Sequence, residues 1–140
     1  LILESKAGIT DYITYKEFGK RIEEAKQNVV ANIKKLKEKY PIIAGYAAPA
    51  KASTKLNYFG IGDKLVDYII EDNNLKHGKY IPCVNIPIYG KQHAYDNLPD
   101  VIINHAWNFH EAIIADNQEM INKGVRFINI RDLEDENFNV

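Results

Sequence analysis

The stretch "IIAGYAAPAKASTKLNYFGI", residues 42–61, decides how this chain folds. Ile42 to Tyr46 is a short apolar run ending in a loop, Ala52 to Phe59 has helical composition, and Gly60 stands where a helix stops. Strand, loop and helix in that order put Gly45 to Lys51 where an open parallel sheet binds ligands, beyond a strand's carboxyl end and against free helix N–H groups. A dinucleotide fingerprint needs several glycines at that place so that the backbone can approach a pyrophosphate. Here only Gly45 is glycine, and Ala47, Ala50 and Ala52 are small substitutes, so the dinucleotide signal is weak.

Lys51, Ser53 and Thr54 admit two readings. An ammonium and two hydroxyls at a helix start bind phosphate oxygens through charge-assisted and neutral hydrogen bonds. Equally, Ser53 or Thr54 caps the helix while Lys51 stays solvated. Downstream, Leu65-Val66-Asp67-Tyr68-Ile69-Ile70 reads as a buried strand ending in the polar turn Glu71-Asp72-Asn73-Asn74, which completes a βαβ unit. Asp72 lies about twenty residues beyond the loop, where an acid meets ribose hydroxyls in dinucleotide folds, although acids also populate ordinary turns.

Upstream, Thr14-Tyr15-Lys16-Glu17 has the form of a capping box. Behind it Tyr15, Phe18, Ile22, Ala25, Val29, Ile33, Leu36 and Tyr40 recur at three- and four-residue steps. This predicts one long amphipathic helix closed by Pro41, with a solvated face of Lys and Glu. Further on, Val84 to Ile88 alternates around Pro87 and fits an edge strand. Asp100 to Asn104 is another strand, Asn108 to Lys123 a helix stopped by Gly124, and Val125 to Ile130 the last strand. The expected architecture is α/β, a Rossmann-like three-layer αβα domain with a mostly parallel sheet, preceded by the long helix. Residues 1–40 form the leading helical segment packed on the domain, 41–131 the domain itself, and 132–140 a loose acidic tail.

Composition narrows the function. At 140 residues, 46% hydrophobic and 26% charged, the chain has the size and make-up of one globular domain. A net charge of -1 gives no bulk field toward nucleic acid or an anionic membrane. Cys83 is the single cysteine, so no internal disulfide or cysteine zinc site can form, and a reducing cytoplasm is the natural setting. Leu1-Ile2-Leu3 runs at once into Glu4 and Lys6, unlike a signal-peptide core, and the start lacks Met, as in a piece of a longer protein.

His105-Ala106-Trp107-Asn108-Phe109-His110-Glu111 gathers two imidazoles, an indole and a carboxylate after a strand. Its five-residue histidine spacing does not put both rings on one helix face, which argues against a metal site. Asn108 as an N-cap with Glu111 three residues on explains half of the cluster, and His105 or Trp107 remains for contact at a site mouth. His77 and His93 have no partner recognisable in sequence.

"GYAAPAKASTKLNYFGIG", "DYIIEDNNLKHGKYIPCVNIPIYG" and "PDVIINHAWNFHEAI" together resemble the carboxy-terminal domain of the nucleotide-sugar C-methyltransferases. Those S-adenosylmethionine enzymes methylate a ketosugar carried on a nucleoside diphosphate. The Pro49-Ala50-Lys51 run with Asn57-Tyr58, the Lys76-x-Gly78-x-Tyr80 loop and the Trp107-Asn108 pair make the resemblance specific. Two departures stand out: Ala47 replaces a usual glycine, and Cys83-Val84-Asn85 a Gly-Thr-His-like stretch.

The resemblance implies a substrate-binding set of Tyr46, Lys51, Ser53, Thr54, Asn57, Asp72, Lys76, His77, His105, Trp107 and Asn108, with no catalytic and no metal-binding residue. It implies partners in the nucleotide sugar and in a methyltransferase domain of the same polypeptide, which would bind S-adenosylmethionine, leaving no cofactor for this chain. In the complete enzyme a base removes a proton beside the ketone and the resulting carbanion takes the methyl group. The competing expectation is a stand-alone nucleotide- or dinucleotide-binding module with a regulatory or structural role.

Overall fold

The computed structural model describes residues 2–140, so Leu1 lies outside the described residues. Strands β1 (Ile43–Tyr46), β2 (Tyr68–Ile70), β3 (Ile88–Tyr89), β4 (Val101–Asn104) and β5 (Arg126–Asn129) form one all-parallel sheet in the order β3-β2-β1-β4-β5. Every residue of β1 and β4 is buried, as a strand covered on both faces requires. Their register runs from Ile43 opposite Val101 to Tyr46 opposite Asn104, so the two carboxyl ends are flush. The chain turns to β2 on one side of this pair and to β5 on the other. That is the topological switch point, where open α/β sheets form their ligand crevice.

After a short leading helix α1 (Ile2–Lys6), helices cover both faces of the sheet. On one, Ile43, Ile69, Val101, Ile103 and Ile128 meet Val29, Ile33 and Leu36 of α2 (Tyr12–Lys39) and Leu56 and Phe59 of α3 (Ala50–Phe59). On the other, Ala44, Tyr46, Tyr68, Ile70 and Ile102 meet Ala94 of α4 (Lys91–Asp96), Ile113 of α5 (His110–Asp116) and Met120 of α6 (Gln118–Asn122). The expected three layers are present. Gly60 ends α3 in the left-handed conformation (φ 70°), as its position suggested.

Several boundaries differ from the sequence reading, each for a local reason. The long helix starts at Tyr12 after Asp11, so Thr14 sits inside the first turn, its N–H on the Asp11 carbonyl, and the capping box does not form. Leu65 and Val66 are drawn into a turn by hydrogen bonds to the Gly62 carbonyl, which shortens β2 to Tyr68–Ile70. Asn85 (φ 57°) interrupts the 84–88 run, just after the left-handed Cys83 (φ 65°), and the strand begins only at Ile88. It is an edge strand as expected, and Pro87 serves the ladder through its carbonyl, which accepts from Ile69. The 108–123 helix is split at Asn117, whose side chain turns back onto the Ile113 carbonyl at 2.6 Å.

The leading segment packs only in part. Val29, Asn32, Ile33 and Leu36 are buried, whereas Tyr12, Ile13, Tyr15 and Phe18 are exposed. Asn28 and Asn32 donate to the carbonyls of Leu133, Glu134 and Asp135, just past the carboxyl end of β5. The first half of α2 therefore overhangs the carboxyl edge of the sheet, carrying its apolar spacing with it. Those same bonds, with Leu133 fully buried, dock the start of the acidic tail where a loose end is expected. Arg126 and Lys39 hold its last residues through the carbonyls of Asn139 and Val140. No described helix is long and apolar enough to cross a membrane.

Candidate binding site at the switch point

Lys51, Trp107 and Asn108 come together at the carboxyl ends of β1 and β4. Lys51 stands in the first turn of α3, and its Nζ donates to Asn108 Oδ1 at 2.9 Å and lies 4.7 Å from the Trp107 ring centre. Trp107 and Asn108 belong to a 3-10 turn after β4, so Asn108 does not cap the following helix as expected. The turn is set from below by Asn104, whose Oδ1 accepts from the Ala106 N–H and whose amide donates to His110 Nδ1. Pro49 offers α3 no side-chain cap, so neither Ser53 nor Thr54 plays that part. Thr54 donates to the Ala50 carbonyl one turn back.

Arg131 completes this group, with its guanidinium 4.9 Å from the same indole centre. Lys51, Thr54 and Arg131 line a groove of about 920 Å³ between α3 and the overhanging half of α2, walled by Phe18, Ile22 and Tyr58. Its lining holds Arg21, Lys51, Lys55 and Arg131 against the single carboxylate of Glu134, and Glu134 is already paired with Lys55 at 2.7 Å. A chain of net charge -1 thus concentrates positive charge at its crevice.

The loop after β1 is closed on itself. Ala47 is left-handed (φ 67°), and Glu71, at the end of β2, accepts the Ala48 N–H at 2.8 Å and the Asn73 N–H at 3.1 Å. Lys76 bridges Glu71 (3.1 Å) and the Ala48 carbonyl (3.0 Å). Burial opposes the Glu71 charge, but the bonds from Asn73, Ala48 and Lys76 outweigh it and hold the carboxyl below its ordinary value. Glu71 thus takes the anion's place in the loop. His77 braces the same corner, its Nε2 donating to the Glu71 carbonyl at 2.7 Å while the ring lies against Gly90.

Other residues of the expected set fall elsewhere. Tyr46 and Asp72 meet on the opposite sheet face, the phenol donating to the carboxylate at 3.0 Å with Lys91 3.5 Å from Asp72. Burial raises the Tyr46 pKa. Asn57 ties α3 to the turn between Tyr80 and Pro87 by donating to the Pro82 carbonyl, and Ser53 supplies its second acceptor through the backbone. His105 is turned away from the mouth into the core, 3% exposed, with both ring nitrogens unpartnered among the described residues. No cluster of potential metal ligands occurs among the described residues.

Sequence reasoning missed Arg131, Glu71 and Lys91. Arg131 had a legible signal, its place just beyond the last strand, at the edge where such sheets bind ligands. Glu71 sits beside the Asp72 that was singled out, and only the strand's termination decides which of two adjacent acids turns into the loop.

The family described as C-methyltransferase C-terminal domain matches residues 1–130. Over 125 residues, 89% of this chain, the sequence is 32% identical to the C-methyltransferase NovU of Streptomyces niveus. That stretch covers 30% of the relative's own length.

Proposed function

Because this chain belongs to the C-methyltransferase C-terminal domain family, we propose that it is the part of such an enzyme that positions a nucleotide-linked ketosugar, held at the switch-point crevice. One observation carries the reading: Lys51, Trp107 and Asn108, 56 and 57 residues apart in sequence, converge beside a cationic groove at the edge where this fold class binds ligands. Lys51 supplies a charge-assisted hydrogen bond to a phosphate oxygen, and the exposed indole supplies a flat surface beside it. The contribution to methyl transfer is proximity: a substrate anchored by its nucleotide presents its sugar in a fixed orientation.

In the loop after β1, Glu71 takes the Ala48 N–H and Lys76 the Ala48 carbonyl, and the methyl donor is assigned to a methyltransferase domain outside this chain. When bound there, it supplies the electrophilic methyl group. The acid–base chemistry belongs to that domain as well.

Trp107 is the sole tryptophan, so its fluorescence reports directly on the crevice. Titration with UDP-glucose or GDP-mannose is expected to change that emission, and Lys51→Met should weaken binding about ten- to a hundredfold, the worth of a hydrogen bond to a charged group. The melting temperature should be unaltered. A Lys51→Met protein of unchanged affinity would refute the assignment.

A further inference from the structure

We propose that Arg131 and Lys51 form a two-cation clamp for a diphosphate, with Trp107 as the platform that spaces them, an inference resting on the crevice reading above. Both charges address one indole, Lys51 at 4.7 Å and Arg131 at 4.9 Å from its centre. Neither has an ion-pair partner among the described residues, whereas the neighbouring Lys55 is neutralised by Glu134. Both side chains also line the same groove, so an anion with two separate charge centres lying in it can meet both cations.

The clamp is built on fixed elements. Arg131 stands two residues past the end of β5, its own N–H bonded to Asn129 Oδ1 at 3.1 Å and the preceding Ile130 N–H to the Asn104 carbonyl at 3.2 Å. Two residues later Leu133 is buried, so the backbone carrying the guanidinium is held on both sides. Lys51 is fixed from the other direction by α3 and by Asn108. Of the two jaws Arg131 is the fork, able to bridge two oxygens of one phosphoryl group, and Lys51 the point charge. Because Glu71 fills the loop after β1, a diphosphate meets side chains here and not the backbone cradle of a glycine-rich loop.

Calorimetric titration of the wild-type chain with inorganic pyrophosphate, orthophosphate, UDP and uridine tests the clamp. Pyrophosphate and UDP should bind with an affinity that falls as salt rises, orthophosphate at least tenfold more weakly, and uridine more weakly still. Arg131→Gln should lower pyrophosphate affinity about tenfold or more and abolish its preference over orthophosphate, while Lys123→Gln, on the far face and paired with Glu119, changes nothing. Wild-type protein that fails to prefer pyrophosphate overturns the clamp. So does an Arg131→Gln protein that still prefers it. If UDP-glucose binding depends on Lys51 but not on Arg131, the clamp falls and the crevice reading stands. If UDP-glucose does not bind at all, the crevice reading falls with it.

Discussion

The imidazole of His105 lies against the α-carbon of Gly45: a β-carbon at position 45 would stand 2.7 Å from His105 Nε2 and collide with Ile69 Cδ1. The glycine that looks like the relic of a phosphate loop is therefore a packing residue. It makes room between β1 and α3 for a neighbouring histidine. Gly45→Ala is expected to lower stability by about 1–3 kcal/mol, the usual range for overpacking a core. Chemical denaturation read by circular dichroism checks this, and a variant as stable as the parent would show that His105 is free to move.

Burial drives the His105 pKa down to about 4, with the Lys55 charge adding to the effect. A group depressed in the folded state binds fewer protons there than in the unfolded chain. Its contribution is complete above the unfolded value of 6.5 and is lost as pH falls through 4. Stability should therefore decline over that window, by roughly 3 kcal/mol at 1.36 kcal/mol per unit. In His105→Gln, measured across the same pH range, most of the slope should vanish. An unchanged slope would place its origin elsewhere.

Cys83 occupies a left-handed backbone conformation (φ 65°) and is exposed, so its β-carbon brings strain without packing in return. Cys83→Gly should remove about 1–2 kcal/mol of that strain, partly offset by the greater freedom of glycine in the unfolded chain. A net rise of about 2–4 °C in Tm is expected. Ala47→Gly, at φ 67°, should act in the same direction with a smaller gain because its methyl is partly buried. A fall in Tm for Cys83→Gly would contradict the backbone assignment.

Glu71 holds the loop through two N–H groups and Lys76. Glu71→Gln should lower stability by roughly 1.5–3 kcal/mol at neutral pH, the worth of hydrogen bonds to a charged group. Because the native carboxyl titrates below its ordinary value, the penalty should shrink as acid protonates it in the wild type. Denaturant midpoints of both proteins at neutral and acidic pH give the comparison; a constant difference would argue against the charge.

The two halves of α2 should answer differently to truncation. Val29→Ala, fully buried, is expected to cost about 1.5–3 kcal/mol, and Phe18→Ala, 52% exposed, no more than about 0.5 kcal/mol. Equal losses would mean that the overhanging half is covered in solution.

The α/β class, the strand–loop–helix at residues 42–61, the edge position of β3 and the glycine stop of α3 were legible in the sequence. Each depends on local rules: apolar runs of strand length, a proline without an N–H, a residue free to adopt positive φ. Lys51, Trp107 and Asn108 were legible as candidates because they follow strands, where this fold class binds. What the sequence alone left open was how those candidates group. A side chain just past a strand can fall on either face of the sheet, and one residue of strand length decides which. Thus Tyr46 and Asp72 went to one face, Lys51 and Trp107 to the other, and His105 into the core. Arg131 joined the indole and Glu71 entered the loop by the same means, through β5 and β2 ending where they do. Periodicity fixes elements because it is carried by neighbours in the chain, whereas a site is made by residues brought together across the sheet, and only the packed tertiary structure decides those meetings.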